Sequence, residues 1–305
     1  MTASFKLDED NSLLMSAYEG QNYFLIDDNF CPSSSPTCFI YCSSNGIYYD
    51  PEDDEKSFRK AILQNNRYEW LGGHLSNLPK ANRNIYLRDI WKSWYVKGIN
   101  SKINSIPKII ELLQKLVKGF EHIVVVGSSS GAYLSAIIGC AIGVDECFLF
   151  SPQFSLSHHN NCIETHPLLK KYSNDPIRAP FFEANKVIME IQKKNKKTVF
   201  FYFHPTGVNH DNISSQFSKG ISKLYDFPVD CHYHGVCIDK KSLVKVLNWN
   251  AKDGIDYSNK WKKRKSHSMI SFSFMIKGPI FGIPYSMKAT IHNFLAKMYH
   301  LVLKK

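Results

Sequence analysis

The sequence predicts an α/β fold in which a mostly parallel sheet is covered by helices on both faces. Short apolar, β-rich runs alternate with segments of helical periodicity, and residues 123–126 are apolar throughout, as in a parallel strand buried on both faces. The predicted strands are 39–42 (FIYC), 68–71 (YEWL), 84–87 (NIYL), 122–126 (HIVVV), 146–150 (ECFLF) and 198–204 (TVFFYFH). Helices are predicted at 106–120 and 242–249.

The net charge of +11 is concentrated at the C-terminal end of the 305 residues. Residues 251–305 hold eleven Lys or Arg and two Asp, which leaves 27 basic and 25 acidic residues in 1–250. We therefore expect a globular domain at 1–250 and a basic, apolar extension at 251–305. Because the extension lacks a known nucleic-acid-binding module, nucleic acid is not expected as a partner.

The extension has two features that suggest a surface partner. A basic cluster at 260–265 surrounds Trp261, and residues 291–302 have an amphipathic helical pattern. No apolar run reaches the roughly 18 residues of a membrane-spanning helix. Residues 260–305 are thus expected either to lie on an anionic membrane surface or to pack on the body, and a polyanionic polysaccharide is another partner for this charge.

The cysteine pattern predicts reduced thiols and no metal site. The chain has eight cysteines, no C-x-x-C pair, and an N-terminus without the pattern of a secretory signal peptide. We expect a cytoplasmic protein that is peripheral at the inner membrane. His158, His159 and Cys162 are the nearest group to a ligand cluster, but their spacing fits no familiar metal site.

Residues 127–131 have the pattern Gly-x-Ser-x-Gly between the buried strand and a small-residue helix. A sharp strand-to-helix turn would hold Ser129 away from the backbone as a nucleophile, with Gly127 and Gly131 preventing clashes. The backbone N–H of Ser130, at the N-terminus of the helix, would bind the oxyanion formed when Ser129 attacks a carbonyl. The alternative is an ordinary serine-rich turn.

A serine nucleophile at such a turn requires an acid and a histidine, in that order along the chain. Asp211 lies in the predicted loop after the strand at 198–204, although it could instead be a turn residue or a helix N-cap. His234 precedes a glycine and the next helix, and it is the predicted base. His232, His210 and Asp230 are the alternatives for these two roles.

The loop after the strand at 39–42 is expected to supply the second oxyanion donor. Ser44 lies in this loop among small residues, although the same stretch could be a simple turn. Four aromatic residues could stack on sugar rings or belong to the core, namely Trp70, Trp91, Trp94 and Tyr95.

The turn at 127–131, its flanking strand and helix, and the order of Asp211 and His234 resemble the α/β-hydrolase superfamily over residues 35–250. RDIWKSWYVKGI (88–99) and FLFSPQFSL (148–156) are similar to bacterial proteins of this fold that are linked to surface-glycan synthesis. Some of those proteins are serine O-acetyltransferases of capsule polysaccharides. The resemblance implies an acyl-enzyme on Ser129, acetyl-CoA as the acyl donor, and no bound cofactor.

Three functions follow as hypotheses. The first is a serine O-acyltransferase that acetylates a bacterial surface polysaccharide, with His234 as base, Asp211 orienting it, and the Ser44 and Ser130 amides holding the oxyanion. The second is a carboxylesterase or deacetylase that acts on a small acyl ester with water as the acceptor. The third is a non-catalytic, membrane-tethered interaction protein of a glycan-synthesis assembly.

Overall fold

Seven strands form one sheet in the computed structural model, which describes residues 5–20, 24–28, 35–46, 55–71, 81–159 and 161–277. The order of strands across the sheet is β1-β3-β2-β4-β5-β6-β7, and β1 alone is antiparallel to its neighbour. The strands are β1 (Phe24–Asp28), β2 (Thr37–Cys42), β3 (Arg83–Leu87), β4 (His122–Ser128), β5 (Glu146–Phe150), β6 (Val199–Pro205) and β7 (Leu224–Val229).

The helices cover both faces of the sheet, which confirms the predicted α/β class. A π-helical turn (Arg59–Gln64) and a 3-10 turn (Ala179–Phe182) also occur in the described part of the chain. The α-helices are α1 (Ser12–Gly20), α2 (Glu55–Phe58), α3 (Ile106–Leu116), α4 (Ser130–Ile142), α5 (Cys162–Thr165), α6 (Pro167–Tyr172), α7 (Ala184–Gln192), α8 (Asn209–Phe217), α9 (Lys240–Val246), α10 (Ala251–Lys262) and α11 (Met269–Lys277).

Five of the six predicted strands are confirmed, as β2 to β6, and the prediction of a strand at 68–71 is wrong. Those residues form a turn whose aromatic side chains are buried, and Trp70 Nε1 donates a hydrogen bond to the Cys42 carbonyl oxygen at 3.0 Å. The apolar run was thus a sign of core packing rather than of a strand. The pattern also missed both outer strands, β1 and β7, whose residues are mostly only half-buried.

Alternating residues of the central strands point into two separate apolar layers. On β2, Ile40 and Cys42 belong to the layer that contains α3, α4 and α7, whereas Phe39 and Tyr41 belong to the layer that contains α9, α10 and α11. A period of two is expected when both faces of a sheet are covered. The carboxyl ends of β2, β4, β5 and β6 therefore lie along one edge, where the loops that follow them meet.

Helices α10 and α11 pack on the second layer. Trp261 is fully buried, its Nε1 donates to the Pro228 carbonyl oxygen at 2.9 Å, and its ring meets Phe272 edge-on at 5.2 Å. Trp261 is a core residue and contributes nothing to a membrane-facing surface, while the division at residue 250 stays a prediction. The amphipathic segment at 291–302 lies outside the described residues. Within the described part of the chain, no helix has the length and apolar character needed to cross a membrane.

Candidate active site

The turn between β4 and α4 has the predicted strand–turn–helix form. Ser129 has φ 53° and ψ −121°, and its amide donates to the Phe150 carbonyl oxygen at 2.8 Å. A Cβ on Gly127 would lie 2.4 Å from the carbonyl oxygen of Gly131, and a Cβ on Gly131 would lie 2.1 Å from that of Cys42. Both glycines are therefore required by close backbone approach, as the sequence predicted.

Ser129, His234 and Asp211 form a continuous chain of hydrogen bonds. His234 Nε2 lies 2.7 Å from Ser129 Oγ, and His234 Nδ1 lies 2.9 and 3.1 Å from the two oxygens of Asp211. Asp211 is fully buried, whereas 28% of the His234 side chain is exposed. The structure thus brings together the three residues that the sequence selected, in an arrangement that can move a proton from Ser129 Oγ to His234 Nε2.

Asp211 is held by a helix rather than by a loop, which corrects the predicted location. It lies in the first turn of α8, and the N-cap is Val208, so Asp211 is not the cap. One turn later, Ser214 Oγ donates to the Pro152 carbonyl oxygen at 2.7 Å and accepts from the Phe154 amide at 3.0 Å. These two bonds attach α8, and with it Asp211, to the segment that follows β5.

His234 lies in the loop between β7 and α9, and Ser151 holds this loop in place. Ser151 Oγ donates to the Gly235 carbonyl oxygen at 2.8 Å and accepts from the Gly235 amide at 3.2 Å. Gly235 has φ +111°, a conformation that favours glycine. His232 is exposed in the same loop, and its Nδ1 lies 3.4 Å from the Gly207 carbonyl oxygen, so its ring faces a different part of the chain.

Of the other two alternatives, one lies in the site and one does not. His210 Nε2 lies 3.0 Å from His234 Nδ1 and 3.6 Å from Asp211, on the side of the His234 ring opposite Ser129. Burial lowers the pKa of His210, against the opposing effect of Asp211. Asp230 is exposed, and its amide donates to the His267 carbonyl oxygen at 2.8 Å.

The two predicted oxyanion donors follow the adjacent strands β2 and β4. Ser130 begins α4, and Cys42 pairs with Gly127, so the Ser43–Ser44 loop runs beside the turn at Ser129. The Ser44 amide donates a hydrogen bond to the carboxylate of Glu69. Burial raises the pKa of Glu69 to about 7. A carboxyl oxygen of Glu69 thus already accepts from one of the two predicted donors.

The sequence pattern does not identify Glu69, because it predicts a strand at 68–71 in which a glutamate would be a solvent-facing residue. Its flanking neighbours Tyr68 and Trp70 are buried in the second apolar layer and turn the Glu69 side chain toward the loop after β2. No local pattern in the sequence predicts this contact between Glu69 and Ser44, which are 25 residues apart.

A tightly bonded loop at 89–95 supports the end of β2. The buried carboxylate of Asp89 accepts from the amides of Trp91, Ser93 and Tyr95 at 2.9, 2.6 and 2.8 Å. Tyr95 Oη then donates to the Ser43 carbonyl oxygen at 2.7 Å. Burial raises the pKa of Asp89, against the effect of these bonds. The loop therefore fixes the backbone that presents the Ser44 amide.

Gln153 and Trp94 lie next to the predicted base. Gln153 Nε2 is 3.5 Å from His234 Nε2 and donates to the Ser151 carbonyl oxygen at 2.9 Å, and Gln153 Oε1 accepts from Trp94 Nε1 at 3.3 Å. Trp94 is partly exposed, whereas Trp70, Trp91 and Tyr95 are buried core residues. Among the four aromatic residues considered for sugar stacking, Trp94 is the one beside the site.

The group that could hold a metal ion is not the one considered from the sequence. His158 Nδ1 contacts Ser155 Oγ at 2.9 Å, and Cys162 Sγ contacts the Leu156 carbonyl oxygen at 3.2 Å, so these two side chains face other partners. Within the described residues, His210, Asp211 and His234 place ligand atoms within 4.8 Å of one another.

No family model matches this chain, and no curated protein does. Solved structures with a similar backbone include the capsule O-acetyltransferase of Neisseria meningitidis serogroup A, at 12% identity over 79% of this chain and 88% of that chain, with a TM-score of 0.46. A variant of that enzyme in complex with CoA matches at 11% identity over 71% and 92%, with a TM-score of 0.46. A fungal esterase of Rhizomucor miehei matches at 12% identity over 82% and 89%, with a TM-score of 0.41.

Proposed function

We propose that this chain, which has the α/β-hydrolase fold, transfers an acyl group through an acyl-enzyme on Ser129. The observation that carries the proposal is the hydrogen-bonded chain from Ser129 Oγ through His234 to Asp211. In the first step, Ser129 Oγ attacks the acyl carbonyl while His234 Nε2 takes its proton, and Asp211 holds the imidazole and stabilises its charge. Collapse of the tetrahedral intermediate expels the leaving group, which receives the proton from His234.

The oxyanion of that intermediate is stabilised by backbone amides. The Ser130 N–H, in the first turn of α4, is one donor, and the dipole of this helix adds to its effect. The Ser44 N–H is the second donor once the Glu69 carboxylate has released it. In the second step, an acceptor hydroxyl loses its proton to His234 and attacks the acyl-serine. Collapse of this second intermediate breaks the bond between Ser129 Oγ and the acyl carbon, and His234 returns the proton to Ser129 Oγ.

The proposed donor is acetyl-CoA and the proposed acceptor is a sugar hydroxyl of a bacterial surface polysaccharide, so that the enzyme acts in the cytoplasm. The motifs at 88–99 and 148–156 support this assignment through the resemblance described above. The location of Trp94 and Gln153 beside His234 agrees with it, because an aromatic face and an amide are common partners of sugar rings and hydroxyls.

Intact-mass measurement after brief exposure to acetyl-CoA and an acid quench tests the proposal. We expect an acetyl adduct on the wild type that maps to the peptide containing Ser129, and none on Ser129→Ala. Ser128→Ala is the matched control, since it removes a hydroxyl from the neighbouring residue at the end of β4 and should retain the adduct. Absence of the adduct from a folded wild type would overturn acetyl-CoA as the donor.

The two other functions correspond to distinct outcomes. An adduct that forms from a p-nitrophenyl ester and is lost to water without an acceptor sugar would indicate a carboxylesterase or deacetylase. Failure of Ser129 to react with either donor would indicate a non-catalytic interaction protein. An adduct that persists in water and disappears when an acidic capsule polysaccharide is added supports the transferase.

The basic extension at 260–305 is proposed to hold the protein at the anionic inner membrane surface. Lys262, Lys263 and Lys265 are exposed at the end of α10, and this supports electrostatic attraction rather than insertion of Trp261. Sedimentation with vesicles containing anionic lipid, compared with neutral vesicles, tests it. If the protein binds neither kind of vesicle but is retained by a polyanionic polysaccharide, the basic extension binds the acceptor polysaccharide instead of the membrane.

A further inference from the structure

His210, Asp211 and His234 bring three ligand atoms together on the side of the His234 ring that faces away from Ser129. His210 Nε2 lies 3.0 Å from His234 Nδ1, His234 Nδ1 lies 2.9 Å from Asp211 Oδ2, and His210 Nε2 lies 3.6 Å from the same oxygen. A tetrahedral ion about 2.0–2.1 Å from its ligands keeps them about 3.3 Å apart. The observed triangle therefore approximates one face of a tetrahedral coordination shell, with three of its four ligand positions.

With the His210 proton on Nδ1, these three atoms share a single proton. For His234 to accept from Ser129 at Nε2, its ring must be neutral with the proton on Nδ1. Asp211 and His210 Nε2 then both face that one N–H as acceptors. One proton satisfies two acceptors poorly, whereas a dication would engage all three atoms.

We propose that Zn²⁺ binds His210 Nε2, Asp211 and His234 Nδ1 as a site distinct from the Ser129 side of the base. Two imidazoles and one carboxylate form a ligand set typical of zinc, with the fourth position open to water. Asp211 is fully buried, but 23% of the His210 side chain and 28% of the His234 side chain are exposed, so an ion can approach from the histidine side. On binding, the single N–H proton of His234 moves from Nδ1 to Nε2 by exchange with solvent, so that the ring stays neutral and ligates the ion through Nδ1.

Zinc at this site switches off Ser129, a consequence that rests on the proposed function. With Nδ1 bound to the metal, the neutral His234 ring carries its proton on Nε2, the atom 2.7 Å from Ser129 Oγ. Nε2 then donates to the serine and cannot take its proton. The metal thus fixes the wrong tautomer of the base while leaving its position unchanged.

Calorimetric titration of the full chain with Zn²⁺, without an affinity tag and after chelator dialysis, tests the site directly. We expect one equivalent to bind to the wild type. His210→Asn should weaken binding by at least about 100-fold, because losing even an outer partner of a metal ligand costs about 10–100-fold. His210→Cys, which restores a ligand atom, should recover binding, and His232→Asn, two residues from His234, should bind as the wild type does.

The acyl-enzyme supplies the second measurement. Saturating Zn²⁺ should abolish acylation of Ser129 in the wild type, and chelator should restore it. The site is refuted if the wild type does not bind one equivalent of Zn²⁺, or if His210→Asn binds Zn²⁺ as tightly as the wild type. Undiminished acylation of the zinc-saturated chain would refute the inhibitory role. Failure of Ser129 to acylate without metal would concern the proposed function alone, since the titration does not depend on activity.

Discussion

Replacing Glu69 by glutamine should stabilise the protein increasingly as the pH rises from 4.5 to 7. Burial raises the pKa of Glu69 from 4.5 to about 7, even though its carboxylate accepts the Ser44 amide. Below pH 4.5 the group is protonated in both the folded and the unfolded chain, so it does not affect their balance. Between pH 4.5 and 7 the unfolded chain releases the proton first, and the folded state loses relative stability.

The size of this effect follows from the pKa. A shift from 4.5 to about 7 corresponds to about 3 kcal/mol at 1.36 kcal/mol per unit. Because part of the Glu69 surface is exposed to solvent, screening reduces the expected loss of stability to about 2 kcal/mol. Glutamine is neutral throughout, so Glu69→Gln should gain about 2 kcal/mol relative to the wild type above pH 7, or about 5 °C in Tm.

Thermal unfolding at half-unit steps from pH 4 to pH 8 measures this difference. Glu164→Gln, at an exposed glutamate of α5, corrects for the general effect of removing one acidic charge. A Tm difference that stays flat over this range, or that turns against Glu69→Gln as the pH rises, would refute the reasoning. Acylation of Ser129 at pH 8 should also rise about fivefold in Glu69→Gln, because a neutral acceptor competes for the Ser44 amide less strongly by about 1 kcal/mol.

Three further substitutions test the surroundings of the site. Gly131→Ala should lower the free energy of unfolding by at least about 2 kcal/mol, because its Cβ would lie 2.1 Å from the Cys42 carbonyl oxygen of β2. The control is Gly20→Ala, whose Cβ would have no atom within 4 Å and which should leave Tm unchanged. Ser151→Ala removes both bonds to Gly235 and should lower kcat about tenfold with little change in KM; an unchanged kcat would contradict this. Trp261→Ala should cost about 3–5 kcal/mol in chemical denaturation, and a loss below about 1 kcal/mol would contradict its burial.

The sequence was informative wherever a local pattern has one physical cause. Ser129 and its glycines could be predicted because a strand, a sharp turn and a small-residue helix follow one another directly. Asp211 and His234 followed from the order that this fold imposes. The distance of 2.9 Å between His234 Nδ1 and Asp211 agrees with assigning the two residues to one site. The helical location of Asp211 was not predicted, because the first turn of α8 is polar and has no apolar periodicity.

The remaining parts of the site depend on contacts between distant residues. Glu69 reaches Ser44 across 25 residues, and Ser151 reaches Gly235 across 84. Single polar residues in loops have no periodicity, so nothing in the sequence separates Ser151 or Gln153 from an ordinary surface residue. The contact of His210 with His234 is of the same kind, because it arises from the angle between α8 and the loop after β7.

The five residues 150–154, which begin with the last residue of β5, position all three parts of the site. One of their carbonyl oxygens holds the Ser129 amide, one hydroxyl holds the base loop, and two backbone groups hold the helix that carries Asp211. An insertion within this segment would displace all three functional groups at once. The relative positions of Ser129, His234 and Asp211 therefore depend on this short segment keeping its length.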